Sequence, residues 1–522
     1  MGSAAPVQDN LRSEDPGWRQ SSGLILAVDA GLSVNRAMLF DGLGNLIAES
    51  RSELSIDQPM EGWAEQKPET IWNATKENIR GITSKREDLN EEIMAVGLTA
   101  HMHGTFLLDD EGELAREKAI VWIDTRTGNL IERFRSEGLE DEIFKISGWK
   151  LITSMQLLHL IWLKENEPET LRRARCFMAC KDYIRYRLTG EVLSDFTDAS
   201  FTGLFDNVKR RWSDDAFLLV GLDPSIAPDI KEPWEIGGFI TEEAARATGL
   251  KAGTPVTVGC GDVAAMALGG GVTEDYQLLA NIGAAGVYER PVESPLYDWE
   301  NKNYTIASHA VPGKWLLQAN QMSAALTLRW FRDNVFSGSI TYKDFDKLAA
   351  KSKPGASGVI FHPFLQGERS PFVNPHAKGL FFGLTLKTEL KDLVRAILEG
   401  VAFAARDNLE LLTRMKGKRE FEVVMGGGAA NSREWAQILS DVTGYTVKIP
   451  KVNEIGALGA AILGSLACEL YICHREAVEN MVKLEKKFEP NPEAHMEYNE
   501  IFDAYKRLYR TLEPFYKPKG KR

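Results

Sequence analysis

The sequence predicts an α/β protein of two similar halves with a cleft between them, and three observations carry that expectation. The chain has 522 residues, more than one hydrophobic core usually supports. Each half opens with a short apolar run, a glycine turn and a second apolar run. Between such runs lie stretches in which apolar residues recur at helical spacing.

Leu24-Ile-Leu-Ala-Val-Asp29 is apolar and ends in a carboxylate just before Gly31, as a buried strand entering a turn does. The segment from Ala37 reads as a second strand, a turn at Gly44-Asn45 and a third strand. Helical periodicity runs from about Pro68 to Lys85, and a strand from Ile93 to Thr99 leads into His101-Met-His-Gly104. The second half repeats the grammar with a strand at Leu278–Ile282, the turn Gly283-Ala-Ala-Gly286 and a strand at Val287-Tyr288. Val423-Val-Met then runs into Gly426-Gly-Gly428. The helix-like stretch from Ala264 to Gly271 breaks at glycines and marks a boundary. The expected division is a tail at 1–22, a first domain at 23–270 and a second at 271–515, closed by a helix from Glu493 to Thr511.

The 44% hydrophobic and 26% charged residues are ordinary for a globular protein and argue against general disorder. With 62 basic against 74 acidic side chains the net charge is −12, which gives no electrostatic footprint for nucleic acid or an anionic membrane. Met1–Ser22 lacks the apolar core of a signal peptide, and no run approaches the ~20 residues of a membrane helix, so a cytoplasmic protein is expected. Cys176 and Cys180 are spaced as on one helix face. Cys260, Cys468 and Cys473 lie among apolar neighbours without zinc spacing, so reduced, mostly buried thiols are expected.

Phosphoryl transfer needs a pocket for phosphates, a metal, and a base placed to take a hydroxyl proton. Gly31, Gly283 and Gly286 are candidate phosphate turns, because backbone N–H groups bind phosphate only where no side chain blocks approach; most glycine turns, however, merely reverse the chain. Asp262 ends the run Val256-Thr-Val-Gly-Cys-Gly-Asp262 and is the candidate base; as Val263-Ala-Ala-Met-Ala-Leu follows, a helix cap is the competing reading.

Gly379-Leu-Phe-Phe-Gly383-Leu384, followed by Asp392-Leu-Val-Arg-Ala-Ile-Leu-Glu399, resembles the carboxy-terminal signature of the FGGY carbohydrate kinases. Further segments follow in that family's order: Asp29 with Gly31, Gly62-Trp-Ala-Glu-Gln66, Met102-His-Gly104, Trp122-Ile-Asp124-Thr-Arg126, Lys181–Gly190 and Asp195-Phe-Thr-Asp198-Ala-Ser200. Gly259-Cys-Gly-Asp262, Phe364–Pro371, Gly426–Asn431 and Glu454–Gly459 complete them, so the resemblance spans about residues 23–470. It implies two ribonuclease H-like domains of the actin, Hsp70 and hexokinase type, with sugar and ATP between them. It also implies Asp262 as the base, Asp29 as a carboxylate associated with Mg2+, and Gly31, Ser33, Arg36, Gly283 and Ala284 at the phosphates. Gly427, Gly428, Ala429 and Asn431 would hold the adenosine.

Among FGGY branches the motifs at Gly62–Gln66, Met102–Gly104 and Lys181–Ser200 look most like xylulose kinases, which implies a ketopentose. Met102, His103, Gly104, Trp122, Asp124 and Asp262 would then line the sugar. A buried core histidine competes for His103, and a structural pair beside a packed Trp competes for Asp124 and Arg126. The Gly367-Glu-Arg-Ser-Pro371 segment also looks like gluconate kinases, so another sugar, polyol or sugar acid stays open, L-xylulose included. Partners implied are a small sugar and a second copy in a homodimer.

Two phosphate-loop hydroxyls usual in the family are missing. Leu32 follows Gly31 and Ala284 follows Gly283, and each absent charge-assisted bond is worth ~1–3 kcal/mol. His159 stands where the family's amino-terminal signature expects Lys. These departures keep a different class in view, a sugar-binding regulator on a kinase fold, while an actin-like filament would leave the segments after Gly62 and His103 without purpose.

Overall fold

The computed structural model describes residues 23–84, 90–414 and 420–516; the predicted tail at 1–22 and the helix end at Lys85 lie outside them. The first sheet is built from β1 (Leu24–Ala30), β2 (Val34–Asp41) and β3 (Leu46–Glu53), then, after helix α1 (Pro68–Thr83), β4 (Ile93–Ala100). Helix α2 (Cys180–Thr189) precedes β5 (Ile236–Phe239), β6 (Pro255–Thr257), the two-residue β7 (Cys260–Gly261) and helix α3 (Asp262–Gly269). The strands lie in the order β5-β6-β4-β1-β2-β3, with β7 also on β4.

The second half supplies β8 (Gln277–Ile282), β9 (Gly286–Val292), β10 (Thr305–Ser308) and β11 (Trp315–Gln321), helices α4 (Ala325–Phe336) and α5 (Leu390–Thr413), then β12 (Glu422–Gly426) and β13 (Thr446–Pro450). Helix α6 (Ile455–Ala467), β14 (Leu484–Phe488) and helix α7 (Pro492–Leu512) complete it. Its order is β10-β11-β9-β8-β12-β13-β14. The series β3-β2-β1-β4-β6-β5 and β11-β9-β8-β12-β13-β14 therefore match strand for strand. Each has an antiparallel hairpin against a parallel pair, and an antiparallel last strand. The duplication expected from pattern alone is a duplication of topology.

Strands read as unbroken apolar runs because both faces are covered. On β1, Leu26 and Val28 enter one core with Leu39, while Ile25 and Ala27 enter the opposite one with Met38 and Phe40. That opposite core also contains Ala264 and Ala267 of α3 and Ala457, Ala460 and Ala461 of α6. On the second sheet Leu278, Ala280 and Ile282 face α5, whereas Leu279 and Val424 meet Ile455 and Met266. Helices α3 and α6 thus form a shared layer between the two sheets.

A sequence cut at 270 does not divide this packing, since α6 comes from the second half and covers the first sheet. The two helices cross backbone to backbone: a Cβ on Gly459 would lie 2.0 Å from the Ala265 carbonyl oxygen, and one on Gly269 would lie 1.9 Å from that of Ile455. The closing helix α7 docks on α5, where Tyr498 and Arg395 share the buried carboxylate of Glu399 at 2.7 Å each.

All five cysteines are free; three are buried, but Cys473 is exposed and Cys468 half-buried. Cys176 ends up in a short strand and Cys180 at the start of α2, so they share no helix face as their spacing suggested.

Candidate active site

Asp29 and Asp262 leave the first sheet at the same edge. Asp29 on β1 pairs with Thr99, and Gly261 on β7 pairs with Ala100, so both acids flank the end of β4. With strands about 4.8 Å apart, two strand steps put their backbones about 10 Å apart. Burial pushes Asp29 up to about 6, against the Arg36 guanidinium at 4.0 Å and with help from Glu454. Burial, then the charge of Asp29, pushes Asp262 up to about 7. Asp262 does not cap its helix: Gly261 is the N-cap residue and Asp262 the first helical one, its Oδ1 accepting the Val263 N–H at 2.9 Å. The helix end favours the ionised carboxylate, yet desolvation outweighs it.

Two half-desolvated carboxylates that repel one another, with one guanidinium at the edge of ion-pair range, form a donor set suited to a hard divalent cation. Mg2+ takes one or two carboxylates and fills its shell with water and substrate phosphates.

The first glycine turn follows Asp29. Its Leu32 carbonyl accepts from Gln66 Nε2 at 2.7 Å, and the same amide reaches the Ser55 carbonyl at 3.2 Å. The Ser33 side chain is exposed, and Arg36 bridges Asp29 to Glu454 of the second half at 3.7 Å. In the second turn the carbonyls of Gly283 and Ala284 accept the first amides of α4 at 2.9 Å, from Ala325 and Ala324 respectively. The Ala284 methyl stands exposed. The third turn, Gly426–Asn431, closes on the second: Gly427 has φ +76°, and a Cβ there would lie 2.7 Å from the Ile282 carbonyl. Around Gly428 there is open space within 4 Å, where a flat group can approach the backbone. Ala429 is buried, and the Asn431 amide donates to the Gly428 carbonyl at 3.3 Å.

Three residues past the end of β4, His103 adopts φ +63° with its ring edge-on to Phe201 at 5.2 Å and Trp149 at 5.8 Å. Its Nδ1 is buried without a protein partner. Burial, then the positive charge of Arg369, lowers its pKa to about 3, so the imidazole is neutral. Met102 is packed beneath Gly261, where a Cβ would touch its sulfur at 2.5 Å, and the Gly104 carbonyl accepts from Gln156 at 2.7 Å.

Trp122 is half-buried. Asp124 is a correction: it is fully buried, Oδ2 accepts the Ala64 N–H at 2.6 Å, and Arg126 grips both oxygens at 2.8–3.0 Å. That guanidinium also stacks on Trp63 at 3.8 Å and pairs with Glu65 at 2.8 Å. The carboxylate has no free lone pair for a sugar; with Arg126 it fixes the Gly62–Gln66 segment, whose Gln66 in turn holds the first glycine turn. His159 is a core residue, hydrogen-bonded to the Thr105 hydroxyl at 2.8 Å. Reasoning from sequence missed Gln66 as a loop tether, Glu454, Trp149, Phe201 and the partners of Gly261. Gln66, Glu454 and the Gly261 partners Thr197 and Met102 lie within the family-like segments, and only that position could have flagged them; Trp149 and Phe201 lie outside.

The family model described as the FGGY family of carbohydrate kinases, N-terminal domain, matches residues 24–269, and its C-terminal counterpart matches residues 292–468. A xylulose kinase of Escherichia coli (strain K12) is 32% identical over 492 residues, covering 94% of this chain and 99% of that protein. A gluconokinase of Bacillus subtilis (strain 168) is 27% identical over 502 residues, covering 94% and 96%. The crystal structure of xylulose kinase from Rhodospirillum rubrum superposes with a TM-score of 0.86 at 26% identity, covering 94% of this chain and 99% of that one.

Proposed function

We propose, from the premise that the chain belongs to the FGGY family of carbohydrate kinases, that it phosphorylates a ketopentose such as xylulose with Asp262 as the general base. The chain is a carbohydrate kinase and its reaction is ATP-dependent phosphorylation of a sugar hydroxyl. The observation that carries the finer reading is the pair of half-buried carboxylates at the same end of the first sheet's strands, Asp262 directly after β7 and Asp29 just before the first glycine turn. Asp262 accepts the proton as the attacking hydroxyl bonds to the γ-phosphorus and the bond from that phosphorus to the bridging oxygen of ADP breaks, and its raised pKa makes it a stronger base than a solvent-exposed carboxylate. The neutral His103 Nδ1 orients a sugar hydroxyl, because a buried polar atom without a protein partner penalises ligands that leave it unpaired. Asp29 would hold Mg2+, which when bound neutralises charge on the transferred phosphoryl group. The turns at Gly31 and Gly283 bracket the phosphates, and the Gly427–Asn431 turn receives the adenosine.

A sugar acid is the second reading, favoured by the gluconokinase relative and by Arg369, whose buried guanidinium acts on His103. ADP release measured across ketoses, polyols and sugar acids separates the readings. Fastest turnover is expected with a 2-ketopentose. A sugar acid in first place would favour the second reading, and sugar binding without any turnover would leave a binding protein on this fold.

The missing hydroxyl of the second turn gives a further expected result. Ala284→Thr points a donor from an exposed position toward the cleft and is expected to tighten ATP binding by about 5- to 10-fold in titration calorimetry, one charge-assisted bond's worth. Unchanged or weaker binding would mean that the phosphates do not sit at this turn.

A further inference from the structure

Behind Asp262 lies a cluster of buried charges that no step of the phosphoryl transfer uses. Lys181, Asp182, Arg185 and Asp195 are at most 1% exposed, and Asp198 is 5% exposed. Lys181 Nζ lies 2.6 Å from Asp182, 2.8 Å from Asp195 and 3.1 Å from Asp198, while Arg185 shares the same Asp182 oxygen at 3.0 Å. Burial pushes the Asp198 carboxyl up, against the pull of Lys181. Burying such a set costs several kcal/mol per ion before pairing, and apolar residues of similar volume would serve stability as well or better.

The cluster reaches two points of the segment that leads into Asp262, Val258 and Gly261. Arg185 donates to the Val258 carbonyl at 2.8 Å and also to the Leu193 carbonyl. Asp195 accepts the backbone amides of Thr197 at 2.6 Å and Asp198 at 3.3 Å, which fixes the backbone that carries the Thr197 side chain. The Thr197 hydroxyl oxygen in turn accepts the Gly261 N–H at 2.9 Å. Gly261 is the residue before Asp262, and its strand is two residues long, paired to β4 only through Cys260–Thr99 and Gly261–Ala100. Without further tethers so short a strand holds its end loosely.

We propose that the Lys181-centred network is a positioning frame for the Asp262 carboxylate and acts on it through Thr197. Thr197 is a positioning residue, and the assignment rests on Asp262 being the base. Misplacing a base by about 1 Å costs about 100-fold in rate. Thr197→Val, which keeps the shape and removes the acceptor, is therefore expected to lower kcat by about 10- to 100-fold while the sugar KM stays within a few-fold. Thr197→Ser keeps the oxygen and is expected to recover most of that loss. Thr197→Ala serves as a second deletion should the valine variant fold poorly, and sugar binding by calorimetry reports the fold of each.

A kcat near wild type in Thr197→Val or Thr197→Ala would overturn the proposal. So would equal losses in the serine and valine variants, which would make side-chain volume the cause. Asp262→Asn run in parallel keeps the two assignments apart. If that variant is active the base reading fails and this proposal with it; if it is dead while Thr197→Val is fully active, the positioning frame alone fails.

Discussion

Asp262→Asn is expected to leave a folded protein that binds sugar within a few-fold of wild type and turns over about 10²- to 10⁴-fold more slowly, the range a positioned general base supplies. The asparagine preserves size and can still accept the Val263 N–H seen at 2.9 Å, so loss of packing cannot account for a fall in kcat. The pH dependence follows from the same group. Burial raises its folded pKa to about 7, and only the ionised form accepts a proton, so kcat/KM of the native enzyme is expected to fall as pH drops below about 7.

Stability moves the other way. A carboxyl whose pKa is higher folded than unfolded contributes stability below its unfolded value near 4, and that contribution is lost as pH rises through about 7. At pH 8 the asparagine variant is therefore expected to melt above the native protein. An inactive variant with a higher melting temperature is the signature of a strained functional carboxylate. Activity close to wild type, or a lower melting temperature at pH 8, would return Asp262 to a structural role.

The second large effect is expected at Asp29. Asp29→Asn removes the carboxylate of the proposed cation site but leaves Arg36, which still has Glu454 at 3.7 Å. The expected result is a fall in kcat of about 100-fold or more with a raised requirement for Mg2+, the loss of several kcal/mol of charge stabilisation in the transition state. Sugar binding measured without nucleotide is expected to be unchanged, because His103 and Asp262 are untouched. Its folded pKa of about 6 gives the same direction for stability, a gain at pH 8. A variant that keeps both its rate and its Mg2+ dependence would remove Asp29 from the metal assignment.

Where the sequence was read wrongly, a spacing was consistent with two side-chain directions. Trp122-Ile-Asp124-Thr-Arg126 sets an acid two residues from an arginine, but whether the acid faces a pocket or that arginine depends on Trp63 and Ala64, some sixty residues earlier. The same holds for Cys176 and Cys180, whose four-residue interval spans the end of a strand and the start of a helix. A helix cap was the competing reading for Asp262, and the helix begins one residue earlier than that role needs.

The strands that carry the site were legible by themselves. Leu24–Ala30, Ile93–Ala100 and Gln277–Ile282 are largely buried on both faces, so their mostly apolar runs identify them, and the acid, histidine or glycine at the end of each marks the cleft. The kinase family and the three glycine turns follow from such local segments. Tertiary structure alone decided that α6 of the second half covers the first sheet, and that Gln66 holds the first glycine turn. It also decided that Thr197 supports Gly261 from 64 residues away. Those contacts join positions with no periodic relation along the chain, and hydrogen-bond geometry between them exists only once both sheets have packed on the α3–α6 layer.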